Sequence, residues 1–242
     1  MGFTARDSGG GDFKRVPPGV YAARCIALID LGTQEVEFQG EKKLQHKALV
    51  KWEVFGEDDA GVPLTADVNG KELPLTVSKR YTMSLSTKSR LRADLAAWRG
   101  RDFTPEELKA FDVSKLLGAL CMLNIQTNES NGKTYTNVAS ITPLPKGMPK
   151  PGAAHEPIAF DLDKPDMALF GTFHEKLQET IQSSVEWKAK HSPRHGATTA
   201  APAAAPAGSS FDDMDEDVPF ITASAVDIES RHDRRIRRMK GW

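Results

Sequence analysis

Two oppositely charged segments carry the residue types best suited to recognising a charged partner. The segment Phe211–Phe220 (FDDMDEDVPF) contains no Lys or Arg and ends in Val-Pro-Phe. Its partner-binding candidates are Asp212, Asp213, Asp215, Glu216, Asp217, Pro219 and Phe220. The segment Lys79–Arg101 has the opposite character, with seven cations against the single acid Asp94. An acidic run cannot build a core, so the first is suited to presenting a negative peptide, whereas the second is suited to binding a polyanion.

The basic segment combines cations with an aromatic ring, which is what single-stranded nucleic acid requires. Phosphates need a cationic groove, and bases stack on aromatic faces with about 1–3 kcal/mol per base. The candidates for DNA binding here are Lys79, Arg80, Tyr81, Lys88, Arg90, Arg92, Arg99 and Arg101. Lys88, Arg92 and Arg99 share one face of a predicted helix, opposite its apolar stripe. An ordinary solvated helix face is the alternative interpretation of these three.

Strand alternation selects further candidates outside the basic segment. In the predicted strand Lys47–Phe55, Trp52 falls on the apolar face and is assigned to the core, whereas Lys51 and Phe55 fall on the other face. Lys133 and Tyr135 share a face of a later strand, and Arg24 is the one charge in an apolar run. Three of these residues also have a structural alternative to DNA binding. Phe55 would cap the end of its strand, Tyr135 would pack under a loop, and Arg24 would pair with a buried carboxylate.

The elements that must position these residues are mostly strands. The pattern predicts strands Val20–Leu31 (ended by Gly32), Lys47–Phe55, Thr76–Leu85, Leu120–Thr127 and Lys133–Thr142. It also predicts a hairpin at Asn69-Gly70, another at Asn131-Gly132, a helix from the N-cap Ser86 to Gly100, and a short helix opened by a capping box at Thr104. Three strands, a helix and two strands are the element order of the OB-fold. We therefore expect a mainly β (α+β) protein with a five-stranded, OB-fold-like Greek-key barrel and added helices.

Composition divides the chain around this barrel. We expect a flexible N-terminus (1–15), the barrel (16–145) and a Pro-rich crossing segment with an amphipathic helix (146–191). That helix opens at a Thr172–Glu175 capping box, and its stripe of Phe173, Leu177, Ile181 and Val185 should pack on the barrel. An Ala/Pro linker (192–210), the acidic tip (211–220) and a basic tail (221–242) follow.

An Ala/Pro linker followed by an acidic D-D-x-P-F-like tip resembles the tail of bacterial and bacteriophage single-stranded DNA-binding proteins. The segment Tyr81–Gly100 is similar to a block in bacteriophage early-region replication proteins. The resemblance implies a protein that coats and protects single-stranded DNA in replication, recombination and repair, and that recruits partner proteins through the tip. One departure is that Phe220 is followed by 22 further residues. A solubilising acidic patch is the alternative for the tip.

The basic tail has three competing uses. Residues Arg231–Lys240 hold six cations and one acid. They fit a second nucleic-acid contact, an intramolecular clasp on the acidic tip, or a nonspecific cationic end.

Other function classes find little support in the sequence. The sequence contains no phosphate-binding loop, zinc-protease motif or serine-nucleophile elbow. We therefore expect a protein that is not an enzyme and that needs no cofactor or metal. The first alternative to single-stranded DNA binding is an adaptor whose β domain binds protein. The acid pairs Asp58-Asp59 and Asp161/Asp163 make a metal-dependent nuclease the second, less favoured alternative. Cys25 and Cys121 are expected to be buried free thiols. No signal peptide or apolar span is recognisable, so a cytoplasmic protein (host cytoplasm if viral) is expected; homo-oligomerisation stays open.

Overall fold

The computed structural model describes residues 14–38, 40–130 and 133–191, and within them the protein is mainly β. The strands are β1 (Gly19–Phe38), β2 (Glu41–Phe55), β3 (Thr65–Val68), β4 (Lys71–Pro74), β5 (Thr76–Thr82), β6 (Leu120–Ser130), β7 (Lys133–Pro143) and β8 (Ile158–Phe160). The helices are α1 (Arg90–Arg99), α2 (Pro105–Lys109), α3 (Met167–Thr172), α4 (Glu175–Ser183) and α5 (Val185–His191), with a 3₁₀ turn at Val113–Leu116. The mainly β prediction is confirmed.

Six strands form one sheet in the order β5-β2-β1-β6-β7, with β8 parallel to β1 and the other pairs antiparallel. No strand pairing among the described residues joins β5 to β7, so the sheet is not closed into a hydrogen-bonded barrel. The two strands nevertheless approach each other. The Lys79 ammonium of β5 donates a hydrogen bond to the carbonyl of Val138 on β7, at 3.0 Å.

The first strand is longer than predicted, and the prediction that Gly32 ends it is wrong. Gly32 has φ +69° and lies at a register shift between β1 and β2, where its N–H donates to Asp30 Oδ1 at 2.8 Å. A bulge needs a residue that tolerates positive φ, and glycine adopts it without steric cost. The strand therefore continues to Phe38, and β1 and β2 pair along a long ribbon.

One core lies between the sheet and α1. Leu91, Leu95 and Trp98 of α1 are buried against inward residues of the strands, and the Trp52 and Trp98 rings lie 6.0 Å apart. Both tryptophans are core residues, as predicted. Gly100 ends the helix in the left-handed conformation, which also confirms a prediction. The predicted N-cap was wrong: Ser89, not Ser86, holds this position, because the Ser89 hydroxyl bonds the Ser84 carbonyl and keeps the preceding residues in a turn.

The remaining local predictions around this core can also be checked. The capping box at Thr104 opens α2, and the β3–β4 hairpin turns at Asn69-Gly70. β6 and β7 pair from Ser130↔Lys133 onward as predicted, although Asn131 and Gly132 lie outside the described residues.

A second apolar layer covers the other face of β1 and β2. Ala27, Ile29, Leu31 and Leu49 pack against residues from β8 and the C-terminal helices. Those residues are Phe160, Leu162, Phe170, Leu177, Ile181 and Trp187. Leu177 and Ile181 of α4 therefore pack on the sheet.

The helix boundaries in this layer differ from the prediction. Thr172 ends α3, and His174 is the N-cap of α4, with its Nδ1 accepting from the Lys176 N–H. Val185 begins α5 and is 48% exposed, so it leaves the predicted stripe. The cause is the break at Ser184, whose hydroxyl bonds Ile181 O and whose extended backbone ends α4.

A buried carboxylate fastens the crossing segment to β2. Glu53 is fully buried and accepts hydrogen bonds from the backbone N–H groups of Ala154 and His155 (3.2 and 3.0 Å) and from the His155 ring (2.9 Å). Arg24 Nε lies 3.5 Å from the same carboxylate. Of the two alternatives for Arg24, the structure shows the pair with a buried carboxylate. Its guanidinium also donates to the carbonyls of Gly118 and Pro151.

Replacing Glu53 with alanine is expected to release this segment. The change leaves two backbone donors and the Arg24 guanidinium without their acceptor, and we expect the free energy of unfolding to fall by about 2–3 kcal/mol. Hydrogen–deuterium exchange should increase in peptides covering residues 150–158. Glu41→Ala is the matched control, because the side chain of Glu41 is 74% exposed. Exchange equal to that of the control would show that Glu53 does not anchor the segment.

Candidate nucleic-acid interface

The outward side of β2 and β5 gathers cations, an aromatic ring and a hydroxyl. Val50, Trp52 and Val54 point into the core, so alternate residues of β2 face outward, and the register pairs Lys51 with Ser78 and Leu49 with Arg80. We define the β2–β5 face by Lys47, Lys51, Phe55, Ser78 and Arg80. All five side chains are partly buried. Leu49 and Glu53 alternate with them on the same side of β2 and are buried under the C-terminal layer and the crossing segment. The β2–β5 face is therefore the part of this side that stays partly exposed.

The cations of this face are held in a desolvated setting. Burial lowers the pKa of Lys51, and its ammonium has no hydrogen bond or ion pair with any residue that the structure describes. Burial also lowers the pKa of Arg80 to about 10, which leaves its guanidinium charged at neutral pH. A bound anion would stabilise the charged form of each group, and cations of this kind are concentrated at functional sites.

Lys79 and Tyr81, both predicted to bind DNA, must be corrected. They are 7% and 2% exposed, and the Lys79 ammonium and Tyr81 hydroxyl both bond Asp94 Oδ2, at 2.9 and 2.8 Å. Alternation along β5 explains the error, because Arg80 points outward only if its two neighbours point inward. These two residues join β5 to α1 and are not available for stacking or phosphate contact.

Two of the cations on α1 form ion pairs within the protein. The side chains of Arg92 and Arg99 are 17% exposed, and they pair with Asp102 and Glu107 respectively. The Arg99 guanidinium also lies over the Phe103 ring, 4.6 Å from its centroid. These two arginines are therefore held in intramolecular ion pairs and do not form the solvated helix face that is the alternative to DNA binding.

The other cations of the basic segment are more accessible. Arg101 is 55% exposed and pairs with Glu107, and this hydrogen bond is the main cause that lowers the pKa of Glu107 to about 2. Arg90 is 52% exposed, donates to Ala139 O at 3.1 Å and lies 3.6 Å from Asp94. Lys88 is exposed and has no partner within the described ranges. Arg90 begins α1 and Lys88 and Arg101 flank it, so these three residues are not on the β2–β5 face.

The remaining candidates lie on β7, which contacts β5 at Val138. Tyr135 is partly buried opposite Asn128, three residues before Val138, whose carbonyl binds Lys79. Lys133 begins β7, but its side chain lies outside the described part of the chain, as do the acidic tip (211–220) and the basic tail (221–242). The structure thus places Lys51 and Arg80 on adjacent strands, with Phe55 further along β2 beyond its pairing with β5. Tyr135 lies on β7, the strand that contacts β5 through Val138.

The cysteines are buried, and one acid of each pair accepts hydrogen bonds within its own turn. Cys25 and Cys121 are free and buried, as predicted, and burial raises the pKa of the Cys25 thiol to about 12. Asp58 and Asp161 accept backbone N–H groups within their own turns. Over the described ranges, no group of three or more His, Cys, Asp or Glu side chains is placed to hold a metal ion.

Comparison with known proteins does not assign the chain to a family. No protein-family model matches it, and no curated protein is significantly similar. None of the described helices is long and apolar enough to cross a membrane.

Proposed function

We propose that this protein binds single-stranded DNA through the β2–β5 face without catalysing a reaction. The observation that carries the proposal is the desolvated pair of cations on this face, Lys51 and Arg80, with the aromatic ring of Phe55 further along the same side of β2. Phosphates would neutralise the cations, and bases would stack on the ring. Such contacts are independent of sequence, which suits a protein that coats and protects exposed strands.

The strand order supports an OB-type barrel as the scaffold of this function. In the OB-fold, the strand 2–3 face and the loops that join strands 1–2 and 4–5 bind oligonucleotides. Here β1, β2, β5, β6 and β7 take the places of the five strands, with α1 between the third and the fourth. The contact from Lys79 to Val138 lies where the third and fifth strands would meet. The β2–β5 face then corresponds to the binding face of the fold.

The acidic tip adds a recruiting function to the proposal. Its five carboxylates and its Pro-Phe end resemble the tails of single-stranded DNA-binding proteins of bacteria and bacteriophages. We assign it the binding of partner proteins in replication, recombination or repair, in the cytoplasm of the cell concerned.

Fluorescence anisotropy of labelled oligo-dT, titrated with the full-length protein at several salt concentrations, tests the proposal. Affinity for the single strand should exceed that for the matching duplex by at least about tenfold. It should also fall with salt, with a slope of about −0.7 for each phosphate contacted. Absence of binding at low salt would refute the DNA-binding function, and retained partner binding would then identify an adaptor. Cleavage of the oligonucleotide only with Mg²⁺ would identify a nuclease.

A further inference from the structure

A groove of about 970 Å³ lies outside the β2–β5 face and shares no residue with it. It is enclosed by the end of α1, the 3₁₀ turn and the segment 143–150 that follows β7. Its apolar lining includes Phe111, Leu144 and Met148, and Met148 is 40% exposed although it is a large hydrophobic residue. Such an apolar recess is suited to accepting a hydrophobic side chain.

The rim of this groove is positively charged. Lys115, Lys146 and Lys150 are exposed there and have no ion pair with any described residue. Arg99 and Arg101 also line the groove, but both pair with Glu107. The remaining carboxylate, Asp112, accepts the Ser114 N–H and caps the 3₁₀ turn. Five cations against two acids give the groove a net charge of +3, so it favours a ligand that is both acidic and apolar.

The segment Phe211–Phe220 of the same chain has this chemistry. It carries five carboxylates, no cation and a terminal Val-Pro-Phe. Nineteen residues (192–210) separate Phe211 from His191, where the described chain ends. A coil of this length has a root-mean-square span of about 25 Å. Fully extended, this linker spans up to about 65 Å. This length exceeds the diameter of a folded domain whose radius of gyration is about 16 Å, so the segment can reach the groove.

We propose that the groove binds Phe211–Phe220 of its own chain, with Phe220 in the apolar recess and the carboxylates along the lysine rim. The inference rests on the proposed function, because it regulates the recruiting role of the tip. A tether of this length gives an effective concentration in the millimolar range, so weak contacts are enough to keep the tip bound. A partner protein must then displace the tip from the groove before it can bind.

Photo-crosslinking in the full-length chain tests this inference without DNA. Phe220 is replaced by the photoreactive analogue p-benzoyl-phenylalanine, and crosslinked peptides are identified by mass spectrometry. We expect crosslinks to the peptides that contain Phe111 and Met148, with a yield independent of protein concentration, as an intramolecular contact requires. The charge reversal Lys115→Glu with Lys146→Glu should lower this yield at least fivefold. Lys71→Glu, on an exposed lysine of β4, is the control.

Three outcomes would overturn the inference. Crosslinks to β2 or β5 would show that the tip occupies the DNA face, and a yield that rises with protein concentration would show binding to a second copy. An undiminished yield in the Lys115/Lys146 variant would exclude the groove. Oligo-dT anisotropy of the same variant keeps the two proposals apart, because groove binding predicts no loss of DNA affinity in this variant.

Discussion

The substitution Lys51→Met is expected to weaken oligo-dT binding by roughly 10- to 100-fold while leaving the folded protein at least as stable. The loss of affinity follows from one charge-assisted phosphate contact, which contributes about 1.5–3 kcal/mol. Stability should not fall, because the Lys51 ammonium is desolvated and has no partner among the described residues. Methionine keeps an unbranched apolar stem at this position and removes the buried charge.

Opposite changes in affinity and stability would distinguish a binding site from a structural residue. Anisotropy gives the affinity and its salt dependence, in which one lost phosphate contact lowers the slope by about 0.7. Thermal unfolding of the same samples gives the stability. Lys71→Met is the matched control, since Lys71 is an exposed lysine of the small β3–β4 hairpin. If both variants bind oligo-dT as tightly as the unsubstituted protein, the β2–β5 face is not the DNA site.

Arg80→Ala provides a second test of the same face. Arg80 lies across from Leu49 in the register, and Ser78, two residues before it, lies across from Lys51. We expect a loss of affinity similar to that of Lys51→Met, and the two losses should add if the residues contact different phosphates. Arg92→Ala should have little effect on affinity, because Asp102 already occupies the Arg92 guanidinium.

The strand pattern was largely readable from the sequence, but the orientation of the basic residues was not. Alternation identified Trp52 as core and placed Lys51 on the opposite face, because each position on a strand follows from its neighbours. The density of charge predicts DNA binding for Lys79, Arg80 and Tyr81 together, although one face of a strand cannot present three consecutive residues. Asp94 was the available signal, since one acid inside a strongly basic segment suggests a buried partner.

Contacts that depend on distant parts of the chain were beyond sequence reasoning. From the sequence alone, Glu53 is an outward residue of β2. In the structure the segment at Ala154 and His155 crosses over it and buries its carboxylate. The basic groove likewise combines Lys115 from the 3₁₀ turn with Lys146 and Lys150 from beyond β7. Its cations are dispersed in sequence, so neither composition nor periodicity marks them as a cluster. Their proximity follows only from the return of β7 past α1.

Asp94→Ala is expected to cost about 3–5 kcal/mol of unfolding free energy, because removing one partner of a buried ion pair leaves an uncompensated charge. The side chains of Lys79 and Asp94 are 7% and 10% exposed, and the Tyr81 hydroxyl would lose its acceptor as well. For a domain of this size the change corresponds to a fall of roughly 6–20 °C in Tm. Chemical denaturation and thermal unfolding both measure it.

Two comparison variants separate the buried charge from a general loss of packing. Asp102→Ala removes an exposed partner of Arg92 and should cost less than about 1 kcal/mol. The double substitution Lys79→Met with Asp94→Leu removes both charges, so it should recover most of the stability lost in Asp94→Ala. A cost for Asp94→Ala no greater than that for Asp102→Ala would contradict the structural role of the pair. Such a result would also reopen Lys79 as a DNA ligand, because its ammonium would then be free to leave the core.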